Sequence, residues 1–304
     1  MDACGKGKTM RVMLTGASGD LGSRIAGLLM QALPPGDLIL ASRDPSSLAP
    51  FAQLGIDVRR VDFDDPAALR GAFAGAERVV MVSTGVVGER RRRQHLAALE
   101  AARAAGAGHV IYTSSVGIHP DNPCFVIPDH AATEAWLRTS GMAFTFLRMS
   151  SYADILVHAI APNAVASGQW ISHAGEGRVA FVAKDDCARA AAAVATTLGH
   201  EGAIYDITGP ELLSYRDAAA LTSEVSGRTL EYIVPPPATT LEQQKEQAET
   251  WIGSFTLAQL NSYEYAVRDG FYEICSEHVA LLTKRRAQSL RELLRAHRQA
   301  LTRA

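Results

Sequence analysis

The chain has 304 residues, 47% hydrophobic and 20% charged, the composition of an ordinary folded protein with apolar residues for one large or two modest cores. Lys and Arg (30) nearly balance Asp and Glu (32), and a net charge of −2 supplies no basic surface for nucleic acid or an anionic membrane. Cys4, Cys124, Cys187 and Cys275 are scattered without C-x-x-C spacing, which argues against a disulfide framework or a zinc site and for a reducing compartment. With no apolar segment between Met1 and Thr9, and no apolar run near the ~20 residues that span a bilayer, the expected location is the cytoplasm.

The first half alternates short apolar strands with amphipathic helices. Strands are expected over 10–15, 37–41, 56–61, 78–82, 109–113 and 143–148, and helices near 20–32, 45–54, 65–74, 88–105 and 130–140. Asp65-Pro66 is a helix-start signal, with proline at the first helical position. This alternation predicts right-handed βαβ units and an α/β fold with a doubly wound parallel sheet. After Ser150 the rhythm changes. A helix-like 152–160 leads through a glycine-rich stretch (Gly168, Gly175, Gly177) to a strand at 178–183, an Ala-rich helix at 185–198, and a strand at 203–207 that would rejoin the main sheet. Pro235-Pro236-Pro237 is a stiff break, and the rest reads mainly helical, with a charged last helix from about 287. The expected division is a nucleotide-binding domain over 1–150 and a smaller C-terminal α/β, mainly helical, substrate lobe over 151–304, covering the edge of the sheet where ligands of open α/β folds bind. Gly5-Lys6-Gly7-Lys8-Thr9 ends like a P-loop, but it lacks the earlier glycine and precedes the first strand, so it reads as a disordered leader.

Thr15-Gly16-Ala17-Ser18-Gly19-Asp20-Leu21-Gly22 joins the first strand to the first helix. Glycines there permit a sharp turn and close backbone approach, and free N–H groups at the helix start face an anion, so the turn is a phosphate cradle. Its G-x-x-G-x-x-G spacing is one residue wider at the first gap than the common dinucleotide fingerprint. An NAD site places an acid at the end of the second strand, where this chain has Ala41-Ser42-Arg43. Arg43 either caps a solvated turn or offers its charged fork, with the Ser42 hydroxyl, to a 2′-phosphate. The second reading is preferred and makes the cofactor NADP(H), in a Rossmann sheet.

The chain resembles the NmrA-like branch of the atypical short-chain dehydrogenase/reductases, and within it the quinone reductases and triphenylmethane-dye reductases. The glycine turn, Arg43-Asp44-Pro45, Val61-Asp62-Phe63-Asp64-Asp65-Pro66, Gln94-His95, Tyr112-Thr113-Ser114, His130-Ala131-Ala132-Thr133-Glu134 and Phe146-Leu147-Arg148 carry the likeness, in order, over nearly the whole length. The resemblance implies that Gly16 to Leu21 hold the pyrophosphate and Arg43 the 2′-phosphate. It places Ser83 and Thr84 along the adenosine ribose and pyrophosphate, and Thr113, Ser114, Ser150, Ser151 and Tyr152 around the nicotinamide. Relatives carry Asn where this chain has Met149, which makes that part of the pocket more apolar.

Typical short-chain dehydrogenases use a Tyr-x-x-x-Lys pair as proton donor. Alignment with isoflavone-reductase-like relatives puts His130 at the lysine position, and Val126 stands four residues earlier. Without that pair, acceptors whose reduced product is delocalised and weakly basic fit better than simple ketones, because positioning alone can drive their reduction. His130 either protonates the product or bonds the backbone or Glu134 within its helix. Cys124 and Phe125 are candidates to line the substrate pocket with Met149, and Tyr152, Trp170 and Phe181 are candidates to stack on a flat substrate, although each aromatic also suits an ordinary core. Arg90 to Arg93 read as a solvated helix face, in preference to a cluster reaching the cofactor phosphates, and their charges oppose the helix dipole. Asp185-Asp186 reads as a helix cap. The irregular spacing of His119, Asp121 and His130 argues against a metal. The leading function is an NADPH-dependent reductase, monomer or homodimer, of a flat or conjugated small molecule. The rivals are a non-catalytic NADP(H) sensor of the NmrA type and an isomerase or benzylic ether reductase.

Overall fold

The computed structural model describes residues 10–236, 250–252 and 255–301; the glycine-lysine leader and Pro237 lie outside the described residues. Six segments of the first half, all but the polar β3 mainly buried, form β1 (Val12–Leu14), β2 (Leu38–Ser42), β3 (Asp57–Arg60), β4 (Arg78–Met81), β5 (His109–Ser115) and β6 (Ala143–Met149). A seventh strand, β7 (Ile204–Ile207), pairs with β6 after a long excursion. The sheet order is β3-β2-β1-β4-β5-β6-β7, and every pair is parallel. Both faces are covered, which is why β1, β2, β4 and β5 are buried residue after residue rather than in alternation. The chain runs outward from β1 to β3, then returns to β4 on the other side of β1. That reversal opens a crevice at the C-terminal ends of β1 and β4, the usual ligand site of such sheets.

The principal helices of the sheet layer are α1 (Asp20–Ala32), α2 (Glu89–Ala104), α3 (Ile127–Thr139) and α4 (Lys184–Thr196). On one face, Ile25 and Leu29 of α1 pack with Cys187, Ala190, Ala191 and Val194 of α4 against Val12, Leu14 and Val80; the small alanines let the two helices lie close. On the other face, Ala98, Leu99 and Ala102 of α2 meet Met13, Ile39, Val79 and Tyr112. A separate core in the later part of the chain gathers Leu156, Val157, Trp170, Phe181, Tyr215, Val267, Tyr272 and Leu294 around α5 (Leu257–Arg268).

Several expected elements differ in extent. The helix expected over 65–74 is only Pro66–Leu69, because Gly71 and Gly75 adopt positive φ (72° and 75°) and turn the chain. The 45–54 helix splits into a 3-10 turn, Pro45–Leu48, and a short helix, Ala49–Gln53, each with proline in its first turn. Helix α3 starts at Ile127 rather than at 130, with Pro128 in its first turn. The 152–160 segment continues through a π-helical turn, Leu156–Ile160, to Ser167, and ends at Gly168 with φ 74°. The 178–183 strand is reduced to Arg178–Val179 and a single bridge from Val182 to Tyr152. Two short strands, Thr250–Ile252 and Phe255–Thr256, interrupt the expected helical run, and the charged last helix is split into Leu290–Ala296, opened by a Ser289–Glu292 capping box, and Arg298–Leu301. Asp185 and Asp186 do not cap α4, whose N-cap is Ala183; they occupy its first turn, Asp185 paired with Arg24 at 2.6 Å and Asp186 fully buried against Arg189 and the Gln288 N–H. No helix among the described residues is long and apolar enough to cross a membrane.

Candidate active site

The glycine turn sits at the mouth of the crevice. Gly16 has φ 67°, and a Cβ on Gly22 would stand 2.0 Å from the Gly16 carbonyl oxygen, so the start of α1 can pack on the turn only without a side chain there. Ala17 is fully buried beneath the turn, its N–H on the Ala41 carbonyl (2.9 Å) tying the ends of β1 and β2 together. Gly19 is the N-cap of α1 and supplies no capping side chain, which leaves the first helical N–H groups open to an anion.

Two clefts flank this turn and share Gly16, Gly19 and the segment after β4. The first, about 630 Å³, is lined by Ser18, Ser42, Arg43, Asp62, Phe63 and Arg90, with Gln259 reaching over from α5. Ser42 and Ser18 share a hydrogen bond at 2.7 Å. Arg43 has no ion-pair partner among the described residues. The second cleft, about 530 Å³, runs from Asp20, Leu21 and Gly22 past Ser83 and Thr84 to the ends of β5 and β6. There it meets Ser114, Val126, His130, Met149, Ser150, Ser151 and Tyr152, with Lys184, Tyr263 and Tyr272 closing the far wall. Lys184 Nζ is bonded to Asp20 at 2.5 Å and lies 5.3 Å from the Tyr152 ring centre.

Most of the residues expected at the site therefore surround one groove, but some are turned away from it. Thr113 Oγ1 accepts the Ser83 N–H (2.9 Å) and lines neither cleft. Ser114 lines the second cleft but donates its hydroxyl proton to Glu134 (2.7 Å), which also holds Arg148 at 2.6 Å. The Ser150 hydroxyl is buried without a hydrogen-bond partner among the described residues. Cys124, Phe125 and Trp170 line neither cleft: Cys124 and Trp170 are packed in the later core, 3% and 1% exposed, and the Phe125 N–H is bonded to Ser262. Phe181 lies in the same core. His119 Nδ1 stands 3.7 Å from Asp121, whereas His130 is bound elsewhere.

His130 is 6% exposed and belongs to a chain of buried polar groups. Arg91 Nη1, which can only donate, lies 3.3 Å from His130 Nε2. The imidazole proton therefore sits on Nδ1, 2.7 Å from the Tyr112 hydroxyl. His95 repeats the pattern: its Nε2 accepts the Thr84 N–H (3.2 Å), so its Nδ1 proton faces Thr133 Oγ1 (3.0 Å), which itself donates to the Asp129 carbonyl. Burial, with Arg91 and His95 adding to it, holds the His130 pKa well below the usual imidazole value, and burial beside Arg91 brings His95 to about 3. Both rings are neutral near pH 7, and the one N–H of His130 points to Tyr112 rather than to a substrate. The ring contacts of His130 are thus Tyr112 and Arg91, neither a substrate, as a proton donor would need, nor the neighbouring backbone or Glu134 of the other reading.

The residue that sequence reasoning missed is Arg91. The run of four arginines reads as a solvated face, yet Arg91 is 4% exposed and lines the second cleft. One signal was available: Arg91 falls in register with Gln94, His95, Ala98, Leu99 and Ala102, the buried stripe of α2.

Residues 16–197 match the family model described as NAD(P)H-binding. Quinone oxidoreductase 2 of Escherichia coli strain K12 is 35% identical over 222 residues, 73% of this chain and 76% of its own. The NADPH-dependent quinone oxidoreductase of Escherichia coli, solved in complex with NADPH, superimposes with a TM-score of 0.84 at 30% identity, covering 93% of this chain and 98% of that one. The Citrobacter triphenylmethane reductase solved with NADP(H) gives 0.82 at 27%, covering 95% and 100%.

Proposed function

The chain belongs to the NAD(P)H-binding family and is an NAD(P)H-dependent oxidoreductase, and from that premise we propose that it uses NADPH to reduce a flat, conjugated acceptor, quinone-like or aromatic, without a Tyr-Lys catalytic pair. The groove fits the cofactor. The open N–H groups at the start of α1 and the glycine turn would hold the pyrophosphate, Arg43 and Ser42 the 2′-phosphate, and the buried, unpartnered Ser150 hydroxyl offers a polar contact at the nicotinamide end. When bound, the reduced nicotinamide supplies a hydride. The relatives named for quinone and triphenylmethane reduction support an acceptor of that class.

One observation carries the reading. The second cleft is walled by Val126, Met149 and the rings of Tyr152, Tyr263 and Tyr272, with Arg91, Asp20 and Lys184 beside them, and the ring N–H of His130 there faces Tyr112. Burial pushes all three phenols up and the His130 imidazole down, and the Tyr152 hydroxyl donates to Met149 Sδ (3.2 Å). Lys184 lies by the Tyr152 ring and pairs with Asp20, so it does not acidify the phenol as a catalytic lysine would. Val126 occupies the position four residues before His130 where a tyrosine would stand. What these residues do is exclude water and hold a flat ring in line, which supplies several kcal/mol by proximity. The protein would act as a monomer or homodimer in the cytoplasm. The test is purified protein with NADPH and a panel of benzoquinones, naphthoquinones, triphenylmethane dyes and enones. Acceptor-dependent NADPH oxidation is expected, and silence across the whole panel would falsify the proposal.

A further inference from the structure

Four consecutive arginines open α2, and the structure separates them. Arg90 pairs with Asp64 (2.7 Å), Arg92 with Asp129 (2.6 Å) and Arg93 with Glu89 (3.2 Å). Arg91 differs. It is 4% exposed and has no carboxylate partner among the described residues, its Nε is buried with no partner, and its contact at Nη1 is the neutral His130 ring. Burying a guanidinium without a counter-charge is costly, and a protein that keeps one at a cleft wall has left it for something that enters the cleft. Its place is set by His130 and, behind that, by Tyr112, which is fully buried within β5.

We propose that Arg91 selects the acceptor by charge: its guanidinium receives the oxygen on which negative charge collects when a neutral, carbonyl-conjugated acceptor such as a quinone is reduced, and it disfavours acceptors that arrive as cations. The proposal rests on the reductase reading above and names its substrate class. In the reaction the C–H bond at the reduced nicotinamide C4 breaks, its electron pair and hydrogen form an O–H bond on one quinone oxygen, and the other oxygen is left as a phenolate that takes one proton from water. A cationic triphenylmethane dye instead gains a C–H bond at its central carbon and becomes neutral, with no anion for a guanidinium to hold. The charged groups that face Arg91 agree with this. His130 and His95 are neutral, Asp129 is held by Arg92 and the Gly88 N–H (2.6 Å), and Lys184 is paired with Asp20. Among the described residues Arg91 thus has no carboxylate bonded to it, Asp129 acting on it only at a distance, and a charge-assisted bond to a developing oxyanion completes it. His130 is a positioning residue that keeps the guanidinium at the wall.

The experiment compares wild type, R91Q and R91K with two acceptors, 1,4-naphthoquinone and crystal violet. The naphthoquinone-to-dye ratio of kcat/KM is expected to fall ~100-fold in R91Q, the scale of losing one oxyanion donor, and to recover most of the way in R91K. NADPH affinity, read by fluorescence titration, is expected to hold within about threefold, since no phosphate contact is removed. An unchanged ratio, or a parallel loss of NADPH affinity, overturns the proposal. A binding measurement separates this from failure of the reductase reading. With NADP⁺ present, wild type should bind 4-nitrophenolate and R91Q should not, even if neither acceptor is reduced; equal binding by both overturns the subsite. Should R91Q fail to fold, wild-type protein decides: competition by 4-nitrophenolate but not by benzyltrimethylammonium supports the subsite, and the reverse order overturns it.

Discussion

Ser42 and Arg43 end β2 side by side with unequal roles. Ser42 is 4% exposed, and its hydroxyl bonds Ser18 Oγ (2.7 Å) and accepts the Asp44 N–H (3.3 Å), so it fixes the distance between strand end and glycine turn. Arg43 lines the same cleft with its charge unpaired among the described residues. An arginine-to-phosphate bond contributes about 1.5–3 kcal/mol. Arg43→Ala is therefore expected to weaken NADPH binding by roughly ten- to a hundredfold while leaving NADH unchanged, measured by titration with each cofactor; an equal loss for both would remove Arg43 from the 2′-phosphate site. This residue was legible in the sequence because one strand and one turn locate it. His130 and Arg91 were not. Whether an imidazole gives or accepts a proton depends on what faces each nitrogen, and here the partners, Tyr112 and Arg91, come from β5 and α2, 18 and 39 residues away. Trp170, Cys124 and Phe181 show the same limit from the other side: an aromatic or thiol reads alike in a pocket wall and in a core, and these belong to the core.

At the scale of elements, α4 depends on a side chain from a distant strand. Its last turn holds no basic residue, yet the guanidinium of Arg78 in β4, 3% exposed, donates to the carbonyls of Val194 and Ala195 (3.2 Å each) and Thr197. Carbonyls at a helix end lack partners inside the helix, so Arg78 caps α4 and ties it to the sheet. Arg78→Met leaves these acceptors buried and unpaired, at about 2–4 kcal/mol. Arg78→Lys should restore only part, because an ammonium lacks the planar fork. Urea unfolding midpoints check both, and amide exchange at 190–197 should accelerate in the Met variant before the rest of the sheet; exchange unaltered there would show that the cap is idle. The inner strands were legible, because parallel strands covered on both faces read as short apolar runs; the edge strand β3, Asp57–Arg60, is polar and half-buried, and its place follows from the alternation around it. Helix extents were not. Gly71 and Gly75 end one early, and tertiary packing carries the 153–167 segment through a π turn that no local pattern marks.

At the scale of the whole molecule, α5 joins the groove to the later core. Gln259 reaches the first cleft and Tyr263 the second, while the next residue, Glu264, is 4% exposed inside the core and accepts the His173 N–H at 2.7 Å. Its surroundings are Ser172 and the tyrosines 215, 232 and 263, with no cation bonded to it among the described residues, and burial raises its pKa from 4.5 to about 7. The sign of the consequence follows from linkage. Because the folded value lies above the unfolded one, the full contribution is present below about pH 4.5, where the carboxyl is protonated in both states. It is lost progressively as pH rises from about 4.5 and is gone once pH passes about 7, where the folded protein must either hold a buried carboxylate or open. A shift of this size corresponds to about 3 kcal/mol between pH 4 and pH 8. Glu264→Gln keeps an oxygen for the His173 N–H and removes the titration, so its Tm should exceed that of wild type by a few degrees at pH 8 and match it near pH 5. Thermal melts of the two proteins across that range decide it. Parallel curves would mean that Glu264 is solvated in the folded protein; curves that separate progressively between about pH 5 and pH 7 and stay apart above it would show that ionising Glu264 loosens the helix that closes both clefts, and NADPH affinity should weaken as pH rises through about 7 in wild type alone.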